Sequence, residues 1–411
     1  MPSLPAVLRH RDFDLYWLGV VLSQIGTRGT IAANLYQVYQ LTGSTMQVGL
    51  VGAAQAVALL VLSPLGGVYA DRLDRRRLLQ ATQALSLLVA LGLALLTAAG
   101  AAQAWHVLVS VLFTTAAATF DQPARQALIP AMVPRSQLAQ AFALLNPSRE
   151  LAILVGPSLA GLLIAIRGPE LMYFLDAATY AVLVAILAML RIPRLVPSAP
   201  GSLWASMREG AGFVAGRPLV WQLMTLDLSA TLFGAYRVLL PALALDVLHA
   251  GPTGYGLLSS APSLGALLGS VLVFRLVQSR RSGWILLAAT IGYGGTCVLL
   301  AQAGVFWLAV LAALFLGACD ALATTIRHAA VQLETPDELR GRVSAIYQMG
   351  SRGGPALGDL NIGWLASLLG PAGALTIGGL VPMLHATGLL ARGGVVRGYQ
   401  VVGEEAEPVR A

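Results

Sequence analysis

Residues 29–70 contain no Asp, Glu, Lys, Arg or His, and this uncharged stretch constrains the chain more than any other feature. A helix that crosses a bilayer needs about 20 predominantly apolar residues. The stretch holds two such helices, and Thr42-Gly43-Ser44 supplies the break between them. The rest of the chain follows suit. Charged residues make up 11% of it, against about 25% in soluble domains. With 57% hydrophobic residues and a mean hydropathy of +0.74, it has too little polar surface to cover several globular cores.

Read end to end, the sequence predicts twelve spanning helices over residues 14–41, 46–70, 78–99, 104–130, 138–166, 171–191, 219–246, 254–275, 284–302, 306–333, 343–369 and 372–391. A membrane barrel would show alternating segments of about ten residues, and none occurs. Arginines fix the orientation. They crowd the even-numbered turns, at Arg72, Arg75, Arg76 and Arg77, Arg135, Arg191 and Arg194, Arg275 to Arg281, and Arg340 and Arg342. The odd-numbered turns offer essentially Arg167 alone. Both termini are therefore expected in the cytoplasm of a bacterial cell, inside its plasma or inner membrane.

The longest polar interruption divides the chain into an N-terminal six-helix bundle (1–191), a cytoplasmic linker (192–218), a C-terminal six-helix bundle (219–391) and a cytoplasmic tail (392–411). The halves repeat. Gly52 and Gly254, Arg125 and Arg327, Pro134 and Pro336, Gly156 and Gly358, and Gly161 and Gly363 all match at one offset. The expected fold class is thus an all-α integral membrane protein with two pseudo-symmetric bundles, an architecture of transporters with a site near the midplane. In the linker, Leu203, Trp204, Met207, Ala211 and Val214 share one helical face, which reads as an amphipathic helix on the membrane surface. The tail reads as mobile.

The net charge of +7 comes from 26 basic residues, every one an arginine, scattered in short islands. A nucleic-acid partner would call for a continuous basic face, so none is expected. Cys297 and Cys319 sit in apolar runs and indicate neither a disulfide framework nor a metal site. No cleavable leader, metal or cofactor is expected. The partners are a small-molecule substrate, protons and the lipid bilayer, with the chain acting as a monomer.

The turn after the second span reads Gly67-Val-Tyr-Ala-Asp71-Arg72-Leu-Asp74-Arg75-Arg76. It resembles the signature cytoplasmic loop of the major facilitator superfamily, apart from Asp74 where that pattern has Gly. Residues 120–130, with Phe120, Asp121, Pro123, Ala124 and Arg125, together with Val133-Pro134 and Gly156-Pro157-Ser-Leu-Ala-Gly161, resemble the twelve-span exporter branch containing the enterobactin exporter and macrolide-efflux proteins. The resemblance implies alternating access. It also implies that Gly67, Asp71, Arg72, Arg75 and Arg76 act as a gate motif, joined by Asp121 and Arg125. The physics agrees, because the first turn of span eleven presents free N–H groups and a positive dipole end that an acid at the end of span two can meet. The alternative is that these arginines only set topology. Gly156, Pro157 and Gly161 resemble an antiporter motif, a pliant and closely packed stretch of span five beside span eight. A merely kinked packing helix is the plainer reading.

An ionisable residue inside a span is expensive and reads as functional. By depth, Arg28, Glu150, Asp227 and Asp320 lie nearest the middle, with Arg237, Arg327, Arg352 and Asp359 off-centre. Asp176, near the outer start of span six, reads as a solvated cap. Asp320 can reach Arg327 along one helix face, whereas Asp227 and Glu150 lack a partner in their own helices. These two are the leading coupling acids, with Arg28 and Arg237 tuning them or binding an anionic group. Mutual neutralisation is the competing account. The sequence supports a secondary transporter exporting small amphipathic, drug-like or siderophore-like compounds against protons. An uptake permease of the same fold is the alternative, and a non-transporting receptor a third. No nucleophile elbow, His-rich set or phosphate-binding loop points to an enzyme or an ATP-driven pump.

Overall fold

The first helix, α1 (Arg11–Thr42), stops where the sequence breaks: Gly43 adopts φ 61°, ψ 12° and donates its N–H to Tyr39 O. Glycine is the residue that takes this left-handed cap without strain. The computed structural model describes residues 6–72, 74–190, 203–276, 279 and 281–400; side chains at 6, 63–72, 127, 203–207, 210, 271–275, 345 and 352 lie outside that description. Helices follow at α2 (Thr45–Arg72), α3 (Arg75–Ala98), α4 (Ala104–Leu128), α5 (Leu138–Ile166), α6 (Pro169–Met189), α7 (Leu203–Gly216), α8 (Pro218–Phe233), α9 (Leu240–Ala242), α10 (Gly251–Leu276), α11 (Ser282–Ala301), α12 (Phe306–Leu333) and α13 (Asp337–Ala391). No strand occurs among the described residues.

The helices reproduce the predicted spans within a few residues, and α5 and α12 coincide with 138–166 and 306–333. Spans eleven and twelve lie in α13, which breaks at Gly370 (φ 74°, ψ 166°) just before Pro371. Among the described residues, nine helices are long and apolar enough to cross a membrane, α13 counting once. Their outward side chains are apolar: Leu88 is 66% exposed, Ile166 66% and Trp307 69%. With no water to satisfy free backbone groups, lipid admits such surfaces only on helices or closed barrels.

Span seven departs from the continuous helix expected over 219–246. After α8 the chain leaves helical geometry at Gly234, resumes as a 3-10 turn at Arg237–Leu239 and α9, and ends in a π-turn over Leu243–Val247. The Tyr293 hydroxyl donates to Gly234 O at 2.6 Å, occupying a carbonyl the helix would otherwise use. Pro241 then removes the N–H that would have continued the ladder.

Contacts divide the chain into one unit of Met1–Gly201 with Leu240–Ser260 and another of Ser202–Leu239 with Ala261–Ala411. This differs from halves meeting at 192–218, since the end of span seven and the start of span eight join the first unit. Within each unit the repeat recurs in the packing. A Cβ on Gly156 of α5 would lie 2.8 Å from Gly29 N of α1, and one on Gly358 of α13 would lie 2.0 Å from Thr231 O of α8. Both pairs keep the offset found in the sequence.

The linker helix forms, but it is not simply laid on a membrane. Val214 is 5% exposed in a core with Leu219, Leu223 and Val343, and Glu209 pairs with Arg342 of α13. The tail through Tyr399 is likewise packed against the protein. Val396 is 1% exposed, Tyr399 O accepts from Gly283 N at 3.0 Å, and the Arg397 guanidinium lies 5.3 Å from the Trp284 ring centre. Residues 191–202 and 401–411 lie outside the described residues.

Candidate functional site

In the first unit α1 to α6 line a cavity of about 370 Å³. Its walls mix apolar residues such as Val20, Ile31, Val111, Phe142 and Leu145 with polar ones: Ser23, Gln24, Thr27, Arg28, Thr30 and Asn34 from α1, Gln55 from α2, Gln83 and Ser86 from α3, Thr114, Asp121, Gln122 and Arg125 from α4, Asn146 and Arg149 from α5, and Tyr180 from α6. This polar load lowers the hydropathy of α1. Several atoms on the wall are buried without a hydrogen-bond partner, namely Ser23 Oγ, Thr30 Oγ1, Asn34 Oδ1, Gln83 Oε1 and Arg125 Nη1. Buried polar groups are nearly always satisfied, and these five are exceptions among the described residues. The lining carries three arginines, Arg28, Arg125 and Arg149, and one acid, Asp121.

Asp121 and Arg125 form an ion pair one turn apart on α4. Gln83 Nε2 donates to Asp121 Oδ1 at 2.9 Å, and the Tyr16 hydroxyl donates to Arg125 O at 3.3 Å. The pair thus ties α4 to α3 and α1. Arg28 points from α1 into the same space, with its Cβ against Gly156 of α5. Arg149 lines the cavity while its neighbour Glu150 is exposed and does not, as positions about 100° apart on a helix require.

Pro157 lies inside α5, and its carbonyl would be 2.8 Å from a Cβ on Gly256 of α10. Gly161 meets Gly256 in turn, at 2.7 Å from a Cβ to the facing Cα, and Ser158 Oγ donates to Ser260 Oγ at 2.8 Å. These segments approach to backbone contact because neither carries a side chain there.

The gate motif is only partly visible. Gly67, Asp71 and Arg72 fall on the end of α2, and their side chains lie outside the described residues. Asp74 caps α3, accepting from Arg76 N at 3.0 Å and Arg77 N at 3.2 Å. That explains an acid where the superfamily pattern has Gly, since an N-cap carboxylate satisfies free helix donors. The Arg76 guanidinium reaches Leu187 O and Ala188 O, both at 2.6 Å, closing the C-terminus of α6.

In the second unit Asp227 of α8 pairs with Arg327 of α12; both are buried, at 7% and 2% exposure. This corrects the expected partnership of Arg327 with Asp320. Asp320 is exposed, and its carboxylate accepts from Thr324 at 3.5 Å. Arg237, set on the 3-10 turn after the helix break, donates to Asp359 Oδ2 at 3.2 Å. A second correction concerns Asp176, which is no solvated cap: it is 1% exposed, and its Oδ1 has no hydrogen-bond partner. The small residues Gly26 and Thr30 on α1 leave room for it, but their facing could not be read from spacing.

Helices of this length with lipid-suited flanks describe a multi-pass membrane protein, and its similarity to known proteins makes it a transporter. The family model described as transmembrane secretion effector matches residues 3–397. The chain belongs to that family, within the major facilitator superfamily. It is 28% identical over 379 residues to the enterobactin exporter EntS of Citrobacter koseri, covering 90% of this chain and 88% of that protein. It is also 28% identical over 375 residues to EntS of Salmonella typhimurium, with 90% and 89% covered. Among solved structures, the nucleoside transporter NupG aligns with a TM-score of 0.74 at 15% identity, covering 93% of this chain and 98% of that one. A POT family transporter aligns with a TM-score of 0.73 at 13% identity, covering 94% and 96%. At these identities the structures speak for the fold.

Proposed function

We propose that the chain is a proton-driven exporter that works by alternating access in a bacterial plasma or inner membrane, with both termini cytoplasmic and as a monomer. The observation that carries this reading is the similarity to the enterobactin exporters across nine-tenths of the chain. The cavity supports it: Arg28, Arg125 and Arg149 with a belt of amides and hydroxyls suit an oxygen-rich, amphipathic, siderophore-like solute better than a cationic one. Gly67, Asp71, Arg72, Arg75 and Arg76 act as the cytoplasmic gate motif, and the Gly156, Pro157 and Gly161 stretch as the flexible, tightly packed element of α5. Coupling falls to an intramembrane carboxylate. Pairing with Arg327 argues for a structural role for Asp227, and pairing with Asp359 does the same for Arg237. Glu150 and Asp320 have no ion pair among the described residues.

Everted vesicles test the reading with enterobactin as probe, beside a neutral and a cationic amphiphile. An acid-inside gradient is expected to drive enterobactin into the lumen, with the cationic compound least favoured. Accumulation only under the reversed gradient establishes the uptake permease instead. Binding without accumulation under either gradient establishes the receptor.

A further inference from the structure

Asp176 is the buried acid that none of the motifs explains. It lies seven residues into α6 from Pro169, about 10 Å along the helix, and is sealed from solvent at 1% exposure. Span one covers it through a residue with no side chain. A Cβ on Gly26 would stand 2.6 Å from Asp176 Oδ1, 2.6 Å from Thr179 Oγ1 and 3.2 Å from Asp176 Cα, so any other residue would displace the Asp176 and Thr179 side chains. The hydroxyl of Thr179 is already spent on Asp176 O at 2.8 Å. Oδ1 and Thr30 Oγ1 are both buried without a hydrogen-bond partner.

Among the described residues the charged groups nearby form no ion pair with Asp176. On α1 Arg28 projects into the cavity. On α3, residues 78–98 contain no Asp, Glu, Lys, Arg or His, leaving only the arginines at its cytoplasmic end. On α5 Arg149 lines the cavity, Glu150 is exposed, and Arg167 at the outer end faces Glu170 of α6 at 4.0 Å. On α6 itself Tyr173 donates to Gln37 at 2.7 Å, and Tyr180 shares a 2.9 Å hydrogen bond with Thr27. Asp121 and Arg125 of α4 are engaged with each other. Among the described residues no cation pairs with Asp176, and the donors beside it are the neutral hydroxyls of Thr30 and Thr179, so an ionised carboxylate in this place is costly enough to favour binding a proton.

The cavity lies one residue away. Thr27, Thr30 and Tyr180 belong to its wall, and Thr30 and Tyr180 also flank Asp176, the latter one turn along α6. We infer that Asp176 carries the coupled proton, exchanging it with cavity water past Thr30 as the Gly26 segment of α1 moves against α6. The carboxylate takes a proton at Oδ1 from water reaching it from the outer side and returns it to water open to the cytoplasm. Arg28 links this to cargo, because it stands two residues from Gly26 on the same helix and faces the substrate space. This inference rests on the proton-driven reading above and names the residue that performs it.

The test has two arms. Purified protein in lipid nanodiscs, with protons as the only ligand, is titrated while the infrared C=O stretch of protonated carboxyl groups is followed. Wild type is expected to show a titrating band that Asp176→Asn lacks, and Thr30→Val, which keeps the acid, is expected to move its midpoint. In everted vesicles with enterobactin, Asp176→Asn is expected to lose gradient-driven accumulation while still equilibrating the probe downhill. An unaltered band or retained gradient response in Asp176→Asn overturns the inference alone. Should Asp176→Asn fail to fold, an unmoved midpoint in Thr30→Val does so. A wild-type protein whose transport ignores the gradient overturns the proton-driven reading and this inference with it.

Discussion

The Asp227–Arg327 pair offers the sharpest quantitative test of the second unit. Arg327 is 2% exposed, and its Nε has no hydrogen-bond partner among the described residues, so Asp227 supplies the ion-pair compensation seen for a guanidinium buried in α12. Asp227→Asn removes the charge and keeps the shape. Stranding a buried partner in this way costs about 3–5 kcal/mol, whereas replacing both members with apolar residues is often neutral. At about 1.4 kcal/mol per decade, the single change lowers the folded-to-unfolded ratio roughly a hundred-fold to several thousand-fold. The double variant Asp227→Leu/Arg327→Met should recover most of that loss. The assay is a double-mutant cycle of Asp227→Leu, Arg327→Met and the double variant, read on thermal unfolding and on monodisperse yield in detergent, with Asp227→Asn measured beside it. Coupled neighbours show interaction energies of about 0.5–3 kcal/mol. If the double variant is no more stable than Asp227→Asn, the pair is not a unit. If Asp320→Asn instead rescues or worsens Arg327→Met, the sequence-level partnership of Asp320 with Arg327 is the correct one.

Three further outcomes are expected. Arg125→Ala strands Asp121 against Gln83 and should lower folded yield more than Asp121→Ala/Arg125→Ala does; because Arg327 also has a buried acid, the two arginines should be comparably sensitive, and a tolerant Arg327→Ala would contradict this. Gly161→Leu should leave membrane insertion intact yet abolish transport, since even a Cβ there stands 2.7 Å from Gly256 Cα; full transport rates in vesicles would show that the close approach is dispensable. Asp71→Asn should raise cysteine labelling across the cytoplasmic halves of the spans and impair transport, and unchanged labelling with full transport refutes the gate role.

Local chemistry made much of the molecule legible in the sequence. Hydropathy sums along a few turns, so the spans, the Gly43 cap and the Gly370-Pro371 break could be placed without any partner in view. The offset that pairs Gly156 with Gly358 also survived folding, because a glycine marks a backbone approach whichever helix lies opposite. Helix rotation and partner choice were another matter. Nothing in the spacing of span seven says that Asp227 meets an arginine a hundred residues later. Nor does spacing say that Arg76 closes α6, or that Val396 enters a core with Leu286. In lipid the outer face and the packed face of a helix are both apolar, so the periodicity that orients a soluble helix is largely erased. Asp176 shows the consequence. Its depth could be counted from the sequence, but its burial was set by the rotation of α6 and by the absence of a side chain at Gly26 on the helix opposite.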